Sequence, residues 1–281
     1  MTRAWVELLR GPAALTVPGD LVAGAVTAGG GRPRRLAPAV ASSLCLYWAG
    51  MALNDWADRD IDARERPERP LPSGRIRPAA AFAAAAGLTA TGLALAATGP
   101  RQAFATATAI ATTVWAYDLG LKHTPAGPAA MATARGLNVL LGAAATGRVP
   151  GRALAPAALT AGHTLAVTAL SRHEAHGGPR TAPLATLAAT AAIGTTLAGR
   201  RPQVPVGAGA AAYLLTAVPP LARATRRPSG ERVRGGVVAG LQAMVPLQAA
   251  LAARAGAPRA VPGLLLMLAA ARRLSRKVTP T

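Results

Sequence analysis

A chain of 281 residues that is 51% hydrophobic, 15% charged and 3% aromatic is not an ordinary soluble domain, which needs about a quarter of its residues charged to dress its surface. A net charge of +20 suggests nucleic acid only where Lys and Arg cluster on one face. Here the arginines are scattered between apolar stretches, as at a membrane surface facing anionic lipid, so no nucleic-acid partner is expected.

A bilayer core of roughly 30 Å takes about 20 apolar residues per helix, and gaps rich in Arg, Pro and Gly mark the segment ends. Ten segments answer that description: 13–30, 36–53, 79–98, 102–120, 127–147, 153–171, 181–199, 203–222, 233–253 and a short one at 258–271. The expected fold class is all-α, a polytopic transmembrane bundle of nine to ten helices forming a single domain over 1–281. Glu7 and Arg10 interrupt the start, and Pro18, Gly19 and Asp20 break the first apolar run, so no cleavable signal peptide is expected. The single Cys45 lies inside an apolar run, which leaves no disulfide framework and no thiolate metal cluster. Counted on alternate sides, Lys and Arg are roughly twice as abundant on the side of the N-terminus, which places that side in the cytoplasm. Arg32, Arg34 and Arg35 run against this bias.

Between the second and third segments lies the longest polar stretch, 54–78, on the expected cytoplasmic side. It begins Asn54-Asp-Trp-Ala-Asp58-Arg-Asp-Ile-Asp62. As a helix continuing out of the membrane, it places Asp55, Asp58 and Asp62 at i, i+3 and i+7, and Asn54 and Asp58 at i and i+4. They share one face, and Asp60 points away from it. Three carboxylates at a poorly screened interface repel one another and need a cation. Hard oxygen ligands suit Mg²⁺, which is usually shared between one or two carboxylates and substrate phosphates. The bland alternative is a solvated loop whose acids pair with Arg59, Arg64 and Arg66. Next come Arg64, Arg66, Arg69, Arg75 and Arg77, in a segment stiffened by Pro67, Pro70 and Pro72. Guanidinium forks match phosphate oxygens, so acids and arginines together make a diphosphate cradle. Arg75 and Arg77 read better as positive-inside anchors.

Further along, Lys122 follows the fourth segment. Arg135 and Asn138 lie three apart on one face of the fifth, where Arg135 either meets the diphosphate or snorkels to the interface. After the sixth comes Ser171-Arg-His-Glu174-Ala-His176. Its lone acid, Glu174, reads by itself as an interfacial hydrogen-bonding group, and His173 and His176 could take a proton or a metal. The Met and Trp residues of the helices read as packing.

Asn54-Asp55-x-x-Asp58-x-x-x-Asp62, continuing through Arg66-Pro67-Glu68-Arg69-Pro70-Leu71-Pro72-Ser73-Gly74, resembles the first signature of the UbiA superfamily of intramembrane prenyltransferases. Arg10-Gly11-Pro12 resembles the family's start, and Tyr117, Lys122 and Thr124 resemble its Tyr…Lys…Thr element, whose lysine touches the diphosphate. The stretch from Lys122 to Asn138 and the Glu174 region look most like a bacterial, EboC-type branch. The resemblance implies nine helices around a central cavity with two acidic motifs facing each other at a cytoplasmic mouth. The second, expected near residue 172, is reduced here to Glu174. It also implies Mg²⁺-dependent transfer of a prenyl group from a polyprenyl diphosphate to a lipophilic acceptor in the cell (inner) membrane. Asp55, Asp58, Asp62 and Glu174 would hold the metal; Asn54, Arg66, Arg69, Lys122 and Arg135 would hold the diphosphate; and Asp55, Asp58, Asp62, Lys122 and Glu174 would serve the chemistry. A terpene cyclase or diphosphate lyase on the same fold, or a transporter or lipid-binding protein, are the alternatives.

Overall fold

A computed structural model describes residues 2–10, 14, 16–30, 33–199, 203–259, 261–264 and 266. It is helical throughout, with no strand among the described residues. In chain order the helices are α1 (Thr2–Leu8), α2 (Val17–Thr27), α3 (Pro33–Ala57), α4 (Arg59–Glu65), α5 (Pro78–Ala97), α6 (Arg101–Leu119), α7 (Gly127–Ala144), α8 (Leu154–Ser171), α9 (Thr181–Ala198), α10 (Val204–Arg226) and α11 (Gly230–Arg254). Single 3₁₀ turns at Leu121–His123 and Gly151–Ala153 lead into α7 and α8. Prolines in the first turn start α2, α5, α7 and α10, where the missing N–H has no intrahelical partner to lose.

Nine of the ten expected segments are helices at their expected places. The tenth, 258–271, lies largely outside the described residues. Six helices are long and apolar enough to cross a bilayer: Leu36–Ala57, Pro78–Ala97, Gly151–Ser171, Thr181–Ala198, Val204–Arg226 and Gly230–Arg254. The first segment is shorter than its apolar run suggests. α2 has only 11 residues, about 16 Å at 1.5 Å per residue. It is apolar but short.

Consecutive helices pack as antiparallel neighbours around two cores. One joins α8 to α11 through Val167, Leu170, Ile193, Tyr213, Leu221 and Leu247. The other joins α2, α3, α6 and α7 through Val17, Leu21, Leu46, Ile110 and Leu141. Within lipid, close approach must come from small residues, and the α2/α7 crossing shows it. A Cβ on Gly24 would strike the carbonyl of Val139, and one on Gly142 would strike the carbonyl of Leu21. α11 is the most enclosed span, with 83% of its best apolar window buried. Buried polar groups stitch the first of these cores: His163 on α8 meets Tyr213 Oη at 2.9 Å through Nδ1 and the Gly240 carbonyl at 3.0 Å through Nε2. The carbonyl can only accept, so Nε2 carries the proton and Nδ1 accepts from the tyrosine.

Chain alternation brings the ends of α3, α6, α8 and α10 together with the starts of α5, α7, α9 and α11. Hydrogen bonds join their loops: Arg172 Nη2 to the Thr124 carbonyl (3.0 Å), Arg180 Nη2 to the Arg226 carbonyl (3.2 Å) and Gly178 N–H to the Pro228 carbonyl (3.3 Å). At the opposite end, Arg152 Nε donates to the Thr27 carbonyl at 2.5 Å and Arg254 Nη1 to the Leu197 carbonyl at 3.1 Å. These arginines satisfy the open carbonyls ending α2 and α9, which gives part of the positive charge on that side a structural use. The side chains of Arg32, Arg34 and Arg35 lie outside the described residues.

Gly142→Ala is expected to force apart α2 and α7, costing about 1–3 kcal/mol and lowering the melting temperature of the detergent-solubilised protein. Gly87→Ala on α5, where an added Cβ meets nothing within 4 Å, serves as the unperturbed control.

Candidate active site

The acidic stretch leaves the bundle as expected, with one local irregularity. α3 ends at Ala57, Asp58 stands between helices with φ −89° and ψ 3°, and α4 resumes at Arg59. The backbone ladder bridges the break, with Asp58 N–H on the Asn54 carbonyl (2.9 Å) and Asp62 N–H on the Asp58 carbonyl (2.8 Å). Asn54, Asp55, Asp58 and Asp62 therefore keep one face. Asp55 and Asp62 are buried. Asp60 turns outward, 80% exposed, and pairs with Arg59 at 3.6 Å.

The partners of these acids differ from the local arginines of the bland alternative. Arg69 reaches back from the proline-rich loop, with Nη1 at 2.7 Å from Asp62 Oδ2 and 3.8 Å from Asp55 Oδ1. Lys122, its side chain only 7% exposed, lies 2.6 Å from Asp58 Oδ1, and Asn54 Nδ2 donates to Asp58 Oδ2 at 3.2 Å. The third cation is Arg10, whose Nη2 stands 3.3 Å from Asp55 Oδ1 and whose Nη1 touches Met51 Sδ at 3.3 Å. Arg10 has φ 47°, a left-handed backbone that costs about 1–2 kcal/mol for a non-glycine residue and turns the guanidinium onto α3. Each of the three motif carboxylates thus meets a cation delivered from another part of the chain.

The loop is held from beneath and beside. Leu71 and Ile76 are buried with Trp5, Leu9, Trp56 and Trp115. Ser73 Oγ donates to the Arg69 carbonyl at 2.6 Å, and Gly74 takes φ 72°, which a side chain would resist. Arg75 is a clamp rather than an anchor in lipid, gripping Glu7 with Nη1 at 2.7 Å and Nη2 at 3.1 Å and so pinning α1 over the loop. Trp56 stacks near Phe82 (4.8 Å), and Phe82 meets Trp115 edge-on (6.0 Å). The tryptophans act as interfacial packing beside the site.

Other sequence candidates fall elsewhere. Arg66 is exposed at the end of α4. Arg135 neither meets the acids of 54–62 nor snorkels outward: its Nε lies 2.7 Å from Asp20 Oδ2 inside the bundle. Thr124 caps the turn before α7, its Oγ1 accepting from Ala126 N–H at 3.2 Å. Glu174 is half-buried in the loop that Arg172 ties to Thr124, and its carboxylate makes no ion pair among the described residues. His173 folds its ring over Gly178, and His176 is exposed.

Two buried acids went unrecognised as site candidates in the sequence. Asp118, on α6 one turn before Lys122, is 4% exposed and points its Oδ2 toward Gly50 of α3. Asp20 is 0% exposed. Their signal was available, since an acid inside an apolar segment is rare enough to mark function or a specific partner.

Among the described residues, no three acidic, histidine or cysteine side chains converge on a common metal position, so Asp55, Asp58, Asp62 and Glu174 do not form an all-protein cage. The donor set still suits Mg²⁺, which takes one or two carboxylates and completes its octahedron with water and phosphate oxygen. Arg10, Arg69 and Lys122 stand where such a charge would otherwise be required. Asp62→Asn is expected to loosen Arg69 and speed amide exchange in residues 66–77 on the order of tenfold, measured by mass spectrometry, whereas Asp60→Asn leaves that loop unchanged.

Comparison with known proteins places these features in a family. The model of the UbiA prenyltransferase family matches residues 17–229. Digeranylgeranylglyceryl phosphate synthase of Methanopyrus kandleri is 40% identical over 128 residues, 44% of this chain and 45% of that protein. The synthase of Halobacterium salinarum strain R1 is 36% identical over 189 residues, 66% of this chain and 68% of its own. The matched stretch thus spans about half the length of some of these curated relatives. The fold resembles a UbiA homologue from Aeropyrum pernix K1 (TM-score 0.65, 20% identity, covering 86% of this chain and 97% of that one). It also resembles a UbiA homologue from Archaeoglobus fulgidus bound to GPP and Mg²⁺ (TM-score 0.56, 16% identity, covering 91% and 99%). The narrower likeness to an EboC-type branch has no counterpart in these relatives. A multi-pass membrane bundle, the acidic face of α3 and α4, and a family match running through both show that the chain belongs to the UbiA prenyltransferase family.

Proposed function

We propose that the protein, acting as one domain, transfers a prenyl group from a polyprenyl diphosphate to a lipophilic acceptor, with Mg²⁺, at the cytoplasmic face of the cell membrane. The observation that carries this reading is the matched set of three carboxylates and three cations at one end of the bundle. A diphosphate with Mg²⁺ brings both charges at once. Its oxygens offer Arg10, Arg69 and Lys122 new partners, and the metal offers Asp55, Asp58 and Asp62 theirs, so binding exchanges ion pairs rather than stripping them. Bound there, the metal would neutralise the growing charge of the leaving group.

This chain's own residues do the remainder. Asn54 holds the Asp58 carboxylate in place. Lys122 and Arg69, joined by exposed Arg66, would take up the negative charge that appears as the allylic carbon–oxygen bond breaks. The apolar bundle below keeps water from the allylic centre. We assign Glu174, in the loop tied to the Lys122 turn through Arg172 and Thr124, to the opposite side of the mouth. The relatives' name supports a narrower acceptor, a glyceryl phosphate lipid, whose free carbinol would attack the allylic carbon.

Purified protein given labelled geranylgeranyl diphosphate is expected to release diphosphate only with Mg²⁺, and Asp58→Ala to lose at least about 100-fold in rate. Release without Mg²⁺, or an Asp58→Ala variant as active as wild type, would overturn the mechanism. Free labelled hydrocarbon in place of an adduct would identify a lyase or cyclase. For sidedness, Arg64→Cys in a Cys45→Ala background is expected to react with a membrane-impermeant maleimide in inverted vesicles and not in intact cells. The reverse pattern would place the site outside.

A further inference from the structure

The donor chemistry leaves unused a second buried polar cluster, centred on Asp20. Its Oδ2 forms an ion pair with Arg135 Nε at 2.7 Å and accepts from Asn138 Nδ2 at 2.9 Å, and its Oδ1 accepts from Gln248 Nε2 at 2.7 Å. Ser43 Oγ bonds Asn138 Oδ1 at 2.5 Å, and Arg135 Nη2 and Gln248 Nε2 both donate to the Thr16 carbonyl, at 3.0 and 2.7 Å. Four helices, α2, α3, α7 and α11, therefore contribute to one site inside the bundle.

Its position relative to the acids follows from α3. Ser43, Tyr47, Met51 and Asp55 succeed one another at i+4 along one face of that helix. The face that presents Asp55 to Arg10, with Met51 beneath it, thus continues past Tyr47 to Ser43 and the cluster. α7 gives the depth: Gly127 touches the backbone of Lys122, and Arg135 is eight residues further on, about 12 Å along the axis.

Holding a helix crossing together does not require such a cluster. The α2/α7 contact is already closed by Gly24 and Gly142, and apolar residues often replace buried ion pairs without loss of stability. What the cluster supplies is an oriented guanidinium. Asp20 is wholly enclosed and shares its charge between the Arg135 ion pair and the amide donors of Asn138 and Gln248, so it only partly cancels Arg135. Arg135 keeps 17% of its side chain exposed, and its Nη1 has no partner among the described residues.

We propose that Arg135, braced by Asp20, binds the phosphate of the acceptor lipid, and that this anchor selects phosphorylated over uncharged acceptors. The inference rests on the prenyl-transfer reading. A glyceryl phosphate is short enough to sit with its phosphate on Arg135 and its carbinol directed toward Tyr47 and the allylic carbon below Asp55. The carbinol oxygen bonds to that carbon, the bond to the diphosphate breaks with its electron pair leaving on the diphosphate, and the carbinol proton passes to the released diphosphate.

The experiment compares two acceptor probes, geranylgeranylglyceryl phosphate and the uncharged geranylgeranylglycerol, with labelled geranylgeranyl diphosphate as donor and Mg²⁺ present. Arg135→Gln is expected to raise the KM of the phosphorylated acceptor about tenfold or more, leaving the KM of the donor and of the uncharged acceptor unchanged; Arg135→Lys recovers part of the loss. Because Arg135→Gln leaves Asp20 buried without its cation, the Arg135→Gln/Asp20→Asn double variant, neutral and still hydrogen-bonded, is measured beside it with a melting curve. The inference fails if both acceptors lose equally in a folded variant, if the donor KM rises instead, or if nothing changes. A wild-type protein that releases diphosphate from the donor yet uses neither probe also overturns the acceptor site while leaving the donor reading intact. Absence of Mg²⁺-dependent release overturns both.

Discussion

Gathering carboxylates at the edge of a bilayer requires cations to reach them, and that constraint organises this end of the molecule. Asp55, Asp58 and Asp62 lie on one helical face where screening is poor. Their charge is met by Arg10 from the end of α1, Arg69 from the proline-rich loop and Lys122 from the turn before α7. Each cation carries a piece of chain with it. α1 is drawn over the mouth with a left-handed residue at its end, the 66–77 loop folds back onto α4, and the end of α6 docks against the end of α3. The same ion pairs that hold the unliganded protein together are the ones the proposed binding of an anion with a divalent metal would exchange.

Below that layer the bundle obeys the rules of lipid, in which apolar contact gives helices no preference for one another over acyl chains. Close backbone approach at Gly24 and Gly142 and hydrogen bonds between buried polar side chains do the work instead. The two interior clusters differ in kind. His163 is satisfied on both nitrogens by Tyr213 and Gly240, a closed arrangement joining α8, α10 and α11. The Asp20 cluster includes a partly exposed arginine whose Nη1 has no partner among the described residues, and it lies on the wall of α3 that leads down from Asp55.

Much of the fold was legible because bilayer thickness imposes a length on apolar segments, and proline and glycine punctuate them. Segment 13–30 runs past the end of α2 at Thr27, where Gly29 and Gly30 take positive φ and close the helix, while residues 13 and 15 lie outside the described residues. The acidic face was legible from helical spacing, and the break at Asp58 does not disturb it because the backbone ladder carries across. The partners were not. Arg59, Arg64 and Arg66 are nearest in sequence, yet Arg10 and Lys122, more than forty residues away, make the contacts. The sequence marks Arg135 as a costly intramembrane charge, but its partner Asp20, in Pro18-Gly19-Asp20, looks there only like a break in the first apolar run.

What the sequence by itself determined is local and periodic: the number and placement of most helices, the shared face of Asn54, Asp55, Asp58 and Asp62, and the family signature they carry. Those properties follow from the 3.6-residue turn and from the hydropathy of contiguous residues. Tertiary structure alone decided which cation answers which acid, that Asp118 and Asp20 are enclosed, and that Arg135 serves the interior rather than the mouth. Charges separated by long stretches of chain interact only after helix packing removes them from water, and that packing rests on contacts such as Gly142 against Leu21 that no local pattern announces.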